Sequence, residues 1–108
     1  MDRLMVKLGK DFIVLKCDDI DWIQSERNYL RLYKGERSFL IRTTLSDFEK
    51  KLDSEKFIRV NRSTIINIER IYKIESDPKY NYSVILTNDV SVLWGKKFRN
   101  NLKRVFHN

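Results

Sequence analysis

No apolar stretch in this chain runs beyond a handful of residues, and the pattern that recurs most often changes character at every second position. Tyr29-Leu30-Arg31-Leu32-Tyr33 is the clearest case, because a period of two puts Leu30 and Leu32 on one face and Tyr29, Arg31 and Tyr33 on the other. Lys34-Gly35 then turns the chain into Arg37-Ser38-Phe39-Leu40-Ile41, which makes a hairpin. Phe12 to Leu15 and Ile20 to Gln24 are further strand-forming runs, separated by the turn-prone pair Asp18-Asp19. Phe57 to Val60, Ile65-Ile66 and Ile71 to Ile74 continue the series. Tyr82 to Thr87 and Val90 to Trp94 flank Asn88-Asp89, whose short side chains tolerate the positive φ of a tight turn.

The period changes twice. Thr44 can cap a helix in which Leu45, Phe48 and Leu52 recur on one face, with Asp47 and Glu49 near its positive end and Lys50 and Lys51 near its negative end. After Gly95, Phe98, Leu102, Val105 and Phe106 recur at helical spacing with basic residues mostly between them. Closely spaced strands with two short helices predict a β-dominated domain. Its core is expected to take Trp22, Phe39, Phe48, Phe57, Trp94 and Phe98.

The 108 residues suit one domain, and 42% apolar with 12% aromatic residues suffice for a single core. No apolar run approaches the ~20 residues of a membrane-spanning helix, so no membrane partner is expected. Met1-Asp2-Arg3-Leu4 does not begin a secretory leader, and Cys17 alone cannot close an intrachain disulfide, so a cytoplasmic location is expected. Cys17 reads as a small buried hydrophobe.

Enzymatic readings find little support. His107 is the single histidine and has no second His or Cys with which to share a metal or a proton relay. Gly9, Gly35 and Gly95 are isolated and form no phosphate-binding loop. Carboxylate pairs such as Asp18 with Asp19, or Asp19 with Asp21, have no accompanying base or pocket signature. No enzyme activity, metal, cofactor or small-molecule substrate is therefore expected.

Charge points elsewhere. The chain holds 22 Lys and Arg against 15 Asp and Glu, a formal +7. Residues 1 to 58 account for only +1 of it and residues 59 to 108 for +6. Lys96, Lys97, Arg99, Lys103 and Arg104 fall within nine residues that contain no acid, so a polyanion is the first partner to consider. These candidates also have plain readings: Lys96-Lys97 as a solvated face, Arg62 paired with Glu69 or Asp89, and the neutral Asn28 as a turn residue bonding its own backbone.

The segment Phe57-Ile58-Arg59-Val60-Asn61-Arg62-Ser63-Thr64-Ile65-Ile66-Asn67-Ile68-Glu69-Arg70-Ile71 resembles the most characteristic stretch of LytTR DNA-binding domains, an F-x-R-x-h-R-S-x-x-V-N-x-x-x-I pattern. The resemblance extends in register to Ile20 to Ser25 with Asn28-Tyr29-Leu30, to Thr44-Leu45, and to the Tyr82 to Trp94 hairpin with its basic helix. It implies an elongated, mostly antiparallel β fold of small sheets with two short helices, acting as the output domain of bacterial transcription regulators, usually behind a receiver domain. No receiver fits here. Residues 1–9 are expected to be an N-terminal segment or linker to a missing receiver domain, and residues 10–108 the DNA-binding domain, whether the chain is free-standing or a fragment of a two-component response regulator.

In that family, loops at strand ends enter successive major grooves of a bent duplex, commonly at paired or repeated promoter sites, and a homodimer on DNA is expected. Carried over by position, the resemblance implies base contacts from Asn28, Arg62 and Lys97, and phosphate contacts from Arg27, Arg59, Ser63, Lys96, Arg99 and Lys103. An Asn amide can pair with adenine and an Arg fork with guanine. Gly95-Lys96-Lys97 departs from the usual Ser-Arg of the third contact region, and lysine lacks the bidentate fork. The alternative is a single-stranded nucleic-acid module with Tyr29, Arg31 and Tyr33 as its stacking surface.

Overall fold

In a computed structural model, which describes residues 1–107, the chain folds into an elongated body of 49 × 25 × 24 Å. Among the described residues, ten strands form three antiparallel sheets. A two-stranded sheet pairs β1 (Arg3–Leu8) with β2 (Asp11–Lys16). A five-stranded sheet follows the order β5-β4-β3-β7-β6, made of β3 (Trp22–Glu26), β4 (Tyr29–Lys34), β5 (Arg37–Ile41), β6 (Phe57–Asn61) and β7 (Thr64–Asn67). A three-stranded sheet follows the order β10-β9-β8, from β8 (Ile71–Ser76), β9 (Tyr82–Leu86) and β10 (Ser91–Trp94). Helix α1 (Leu45–Glu49) links β5 to β6, and α2 (Arg99–Val105) follows β10 after a 3-10 turn, Lys96–Phe98.

The alternation read from the sequence explains which faces are covered. Leu30 and Leu32 are fully buried, whereas Tyr29 is exposed and Arg31 and Tyr33 lie half-buried on the other face. Thr44 caps α1 as expected, its Oγ1 accepting the Asp47 N–H at 3.1 Å, and Leu45, Phe48 and Leu52 go inward.

Two apolar clusters lie on opposite faces of β6 and β7. Val6, Leu15, Leu30, Leu32, Phe39, Phe48, Phe57 and Ile65 belong to one, under β1, β2 and α1. Ile58, Val60, Ile66, Val84, Leu86, Val92 and Leu102 belong to the other, under β8 to β10 and α2. A strand covered on both sides needs apolar residues at successive positions, which is why Ile65-Ile66 breaks the alternation.

Residues 3–8 form a strand: Val6 is buried, and β1 pairs with β2 along its whole length, across a turn in which Gly9 takes φ 64°. Expectations for three aromatic residues change. Trp22 and Trp94 are half-buried, because β3 points Ile23 at the core and Trp22 at the opposite face, where its ring stacks on Tyr33 at 4.2 Å. Phe98 is likewise half-buried, and Phe106 is exposed. Cys17 is buried, and loss of solvent pushes its thiol above the ordinary range.

Candidate nucleic-acid interface

Strand register decides which of the singled-out side chains can act together. In β3 and β4, Glu26 pairs with Tyr29, so Arg27 and Asn28 are a two-residue hairpin link. Arg27 takes φ 54°, a left-handed backbone that costs a side-chain-bearing residue about 1 kcal/mol or more, and both residues project into solvent. The Glu26 carboxylate beside this link receives Arg31 Nε at 2.8 Å, and the bond holds its carboxyl below the usual range.

Next to that link stands the turn between β6 and β7. Gln24 lies opposite Thr64, the Thr64 hydroxyl donates to Gln24 Oε1 at 2.9 Å, and Ser25 N–H donates to the Ser63 carbonyl at 2.9 Å. Antiparallel pairing therefore puts Arg62-Ser63 at the same sheet end as Arg27-Asn28. Asn61 holds this turn from within, its Oδ1 accepting Ser63 N–H at 2.8 Å and its Nδ2 donating to the Leu93 carbonyl at 2.7 Å. Arg62 is exposed, and its side chain has no ion-pair or hydrogen-bond partner among the described residues, neither Glu69 nor Asp89.

The third region joins the same end through the backbone, where Gly95 N–H donates to the Val60 carbonyl at 2.7 Å. A Cβ at Gly95 would lie 3.4 Å from Phe98 and 3.5 Å from Asn61, so a serine would nearly fit where this chain has glycine. Lys96 and Lys97 follow, both exposed. Between β10 and the Arg62 turn opens a groove of about 440 Å³ lined by Gln24, Asn61, Arg62, Thr64, Ser91 and Leu93.

Not every residue singled out in the sequence is free to act at this end. Arg59 turns its guanidinium inward, with a side chain only 15% exposed and paired to Glu49. Arg99 stacks over the Tyr82 ring at 4.7 Å and donates to the Tyr80 carbonyl at 3.2 Å, while its buried Nε has no partner. Lys103 is exposed, but α2 runs back along β6: Asn101 bonds the Arg59 carbonyl at 3.1 Å and Arg104 the Ser54 carbonyl at 3.4 Å. Lys103 is thereby carried away from Lys96 and Lys97.

One residue escaped the sequence reading. Ile41 pairs with Leu30, so Arg42 emerges beside the Arg27-Asn28 link, exposed and without an ion-pair or hydrogen-bond partner among the described residues. The hairpin register was the signal that would have found it. Conversely, Tyr33 is covered by Trp22, and Arg31 is held by Glu26 and by Ser38 at 2.9 Å, which leaves Tyr29 without the neighbours a stacking platform needs.

The family described as the LytTr DNA-binding domain matches residues 10–107. The chain belongs to the LytTR family. Among its relatives, the sensory transduction protein LytT of Bacillus subtilis is 26% identical over 97% of this chain and 44% of its own length. The transcriptional regulatory protein LytR of Staphylococcus aureus is 30% identical over 93% of this chain and 41% of its own length. The chain thus spans less than half the length of these curated relatives. The fold agrees with a solved LytTr DNA-binding domain from Bacillus cereus, with a TM-score of 0.84 over 97% of this chain and 96% of that one at 18% identity. In this LytTR domain, no helix among the described residues is long and apolar enough to cross a membrane.

Proposed function

We propose that this LytTR domain binds double-stranded DNA sequence-specifically through the sheet end that carries Arg27-Asn28, Arg42, Asn61-Arg62-Ser63 and Lys96-Lys97, as the effector part of a bacterial transcriptional regulator. The observation that carries the reading is the gathering of unpaired cations, with one exposed Asn, from four separated segments at one end of a rigid sheet. Arg62 and Asn28 read base edges, Lys97 adds a third base contact, and Arg27, Arg42, Ser63 and Lys96 bind phosphates. Bending of the duplex lets the separated loops enter successive major grooves.

The full regulator would carry a receiver domain ahead of this one, act in the cytoplasm, and occupy paired promoter sites as a homodimer, with no cofactor and no chemistry of its own. Half of a paired site binds a lone domain weakly, so specificity grows when two domains engage together. Selection from a random duplex pool, repeated over a salt series, tests the reading. An enriched motif with a log K against log salt slope equivalent to several phosphates supports it. Unselective retention with the same slope contradicts base reading.

A further inference from the structure

Arg59 sits in the middle of the signature yet has almost nothing left to offer a nucleic acid. Four of its five N–H groups have protein acceptors. Nε donates to the Asn61 carbonyl at 3.3 Å and Nη2 to the Arg62 carbonyl at 2.6 Å. Nη1 reaches the Ser46 hydroxyl at 3.1 Å and Glu49 Oε1 at 3.3 Å. The guanidinium carbon also lies 5.7 Å from the centre of the Phe98 ring, at the end of the 3-10 turn that bears Lys96 and Lys97.

These contacts join three parts of the molecule that the chain keeps far apart. Glu49 and Ser46 belong to α1, the two carbonyls to the Arg62 turn, and Phe98 to the Lys96-Lys97 turn. A planar fork can hold two carbonyls and a carboxylate in fixed relative positions, which a lysine ammonium cannot. A largely buried guanidinium also needs a counter-charge, and among the described residues Glu49 is the only carboxylate within ion-pair distance.

We infer that Glu49 and Arg59 form a buttress that positions the Arg62 turn and couples it to the Lys96-Lys97 turn, setting base specificity without touching DNA. The inference rests on the DNA-binding reading above. It changes the role of Arg59 from phosphate ligand to positioning residue, and it gives an acid a part in binding a polyanion. That acid supplies a test of sign. Removing a negative charge strengthens binding to any duplex on electrostatic grounds alone. Removing a buttress weakens binding to the chosen site only.

The experiment compares wild type, Glu49→Gln, Arg59→Lys and Arg59→Met on the selected duplex and on a scrambled one across a salt series, with thermal melts to normalise for folded fraction. The expected result is a three- to tenfold loss on the selected duplex for Glu49→Gln and about tenfold or more for Arg59→Lys, with scrambled-site affinity and salt slope unchanged. Glu49→Gln alters no core side chain, so it reads the buttress even if the Arg59 variants fold poorly. Two results overturn the inference: Glu49→Gln binding both duplexes equally or more tightly than wild type, or Arg59→Lys matching wild type while Arg59→Met lowers the salt slope by about one. A wild-type chain that prefers no duplex overturns the DNA reading itself, and the inference with it. A wild-type preference that survives Glu49→Gln and Arg59→Lys overturns the buttress alone.

Discussion

The two ends of the five-stranded sheet are built from the same residue types and do opposite things with them. At the end bearing Asp18 to Asp21, three cations are paired, Lys34 with Asp19 at 3.9 Å, Lys56 with Asp18 at 3.1 Å and Arg70 with Asp21 at 2.8 Å, while Arg37 lies over the Phe39 ring at 4.9 Å. Asn67 is buried there and donates to the carbonyls of Asp18 and Ile20 at 3.1 and 2.9 Å. At the other end, Arg27, Arg42, Arg62, Lys96 and Lys97 are exposed and have no carboxylate within ion-pair distance among the described residues. Net charge alone would place a polyanion anywhere on this chain. The proposed DNA site is the end whose cations are left unpaired.

That contrast can be broken by exchanging what each end depends on. The largest effect is expected from the paired end, where Asn67→Ala strands the buried Ile20 carbonyl and leaves the Asp18 carbonyl to Arg70 alone, lowering stability by about 2 kcal/mol, seen as a Tm fall of roughly 10 °C. DNA affinity of the folded fraction should not change. Arg62→Ala should do the reverse, leaving the melt in place while costing ~1–3 kcal/mol of specific affinity and relaxing preference at one base pair. Equal losses on selected and scrambled duplexes would remove Arg62 from base reading.

Smaller effects sharpen the same line. Arg42→Ala and Lys96→Ala should each lower the salt slope by about one, with similar losses on every duplex, as phosphate ligands do. Lys34→Ala at the paired end should leave both slope and preference as in wild type. A slope change at Lys34 comparable to that at Arg42 would mean that the chain binds DNA through diffuse charge.

Much of this architecture is legible in the sequence because local rules carry it. The alternation through Tyr29 to Tyr33, the Thr44 cap and the positive-φ turn near Asp89, where φ is 68°, all act within a few residues of one another. Strand β1 was harder, since Met5, 65% exposed, sits on the polar side of an otherwise regular Leu4, Val6, Leu8 pattern and blurs it. Its partner β2 gives the segment its shape. Likewise, nothing local tells Arg59 from Arg62. Both are arginines beside a turn in the same signature, and only the long-range placement of Glu49 and Phe98 spends one and leaves the other free. Arg42 was hidden for a related reason: its place beside Asn28 comes from cross-strand register and not from proximity in the chain.

The most direct measurement is a titration of the isotope-labelled chain with its selected duplex, following backbone amide and Arg side-chain NMR signals. The account predicts the largest shifts at residues 27–28, 42, 61–63 and 95–97, with little change at 18–21, 34 and 67–70. Shifts centred on the paired end, or spread evenly over both ends, would contradict it.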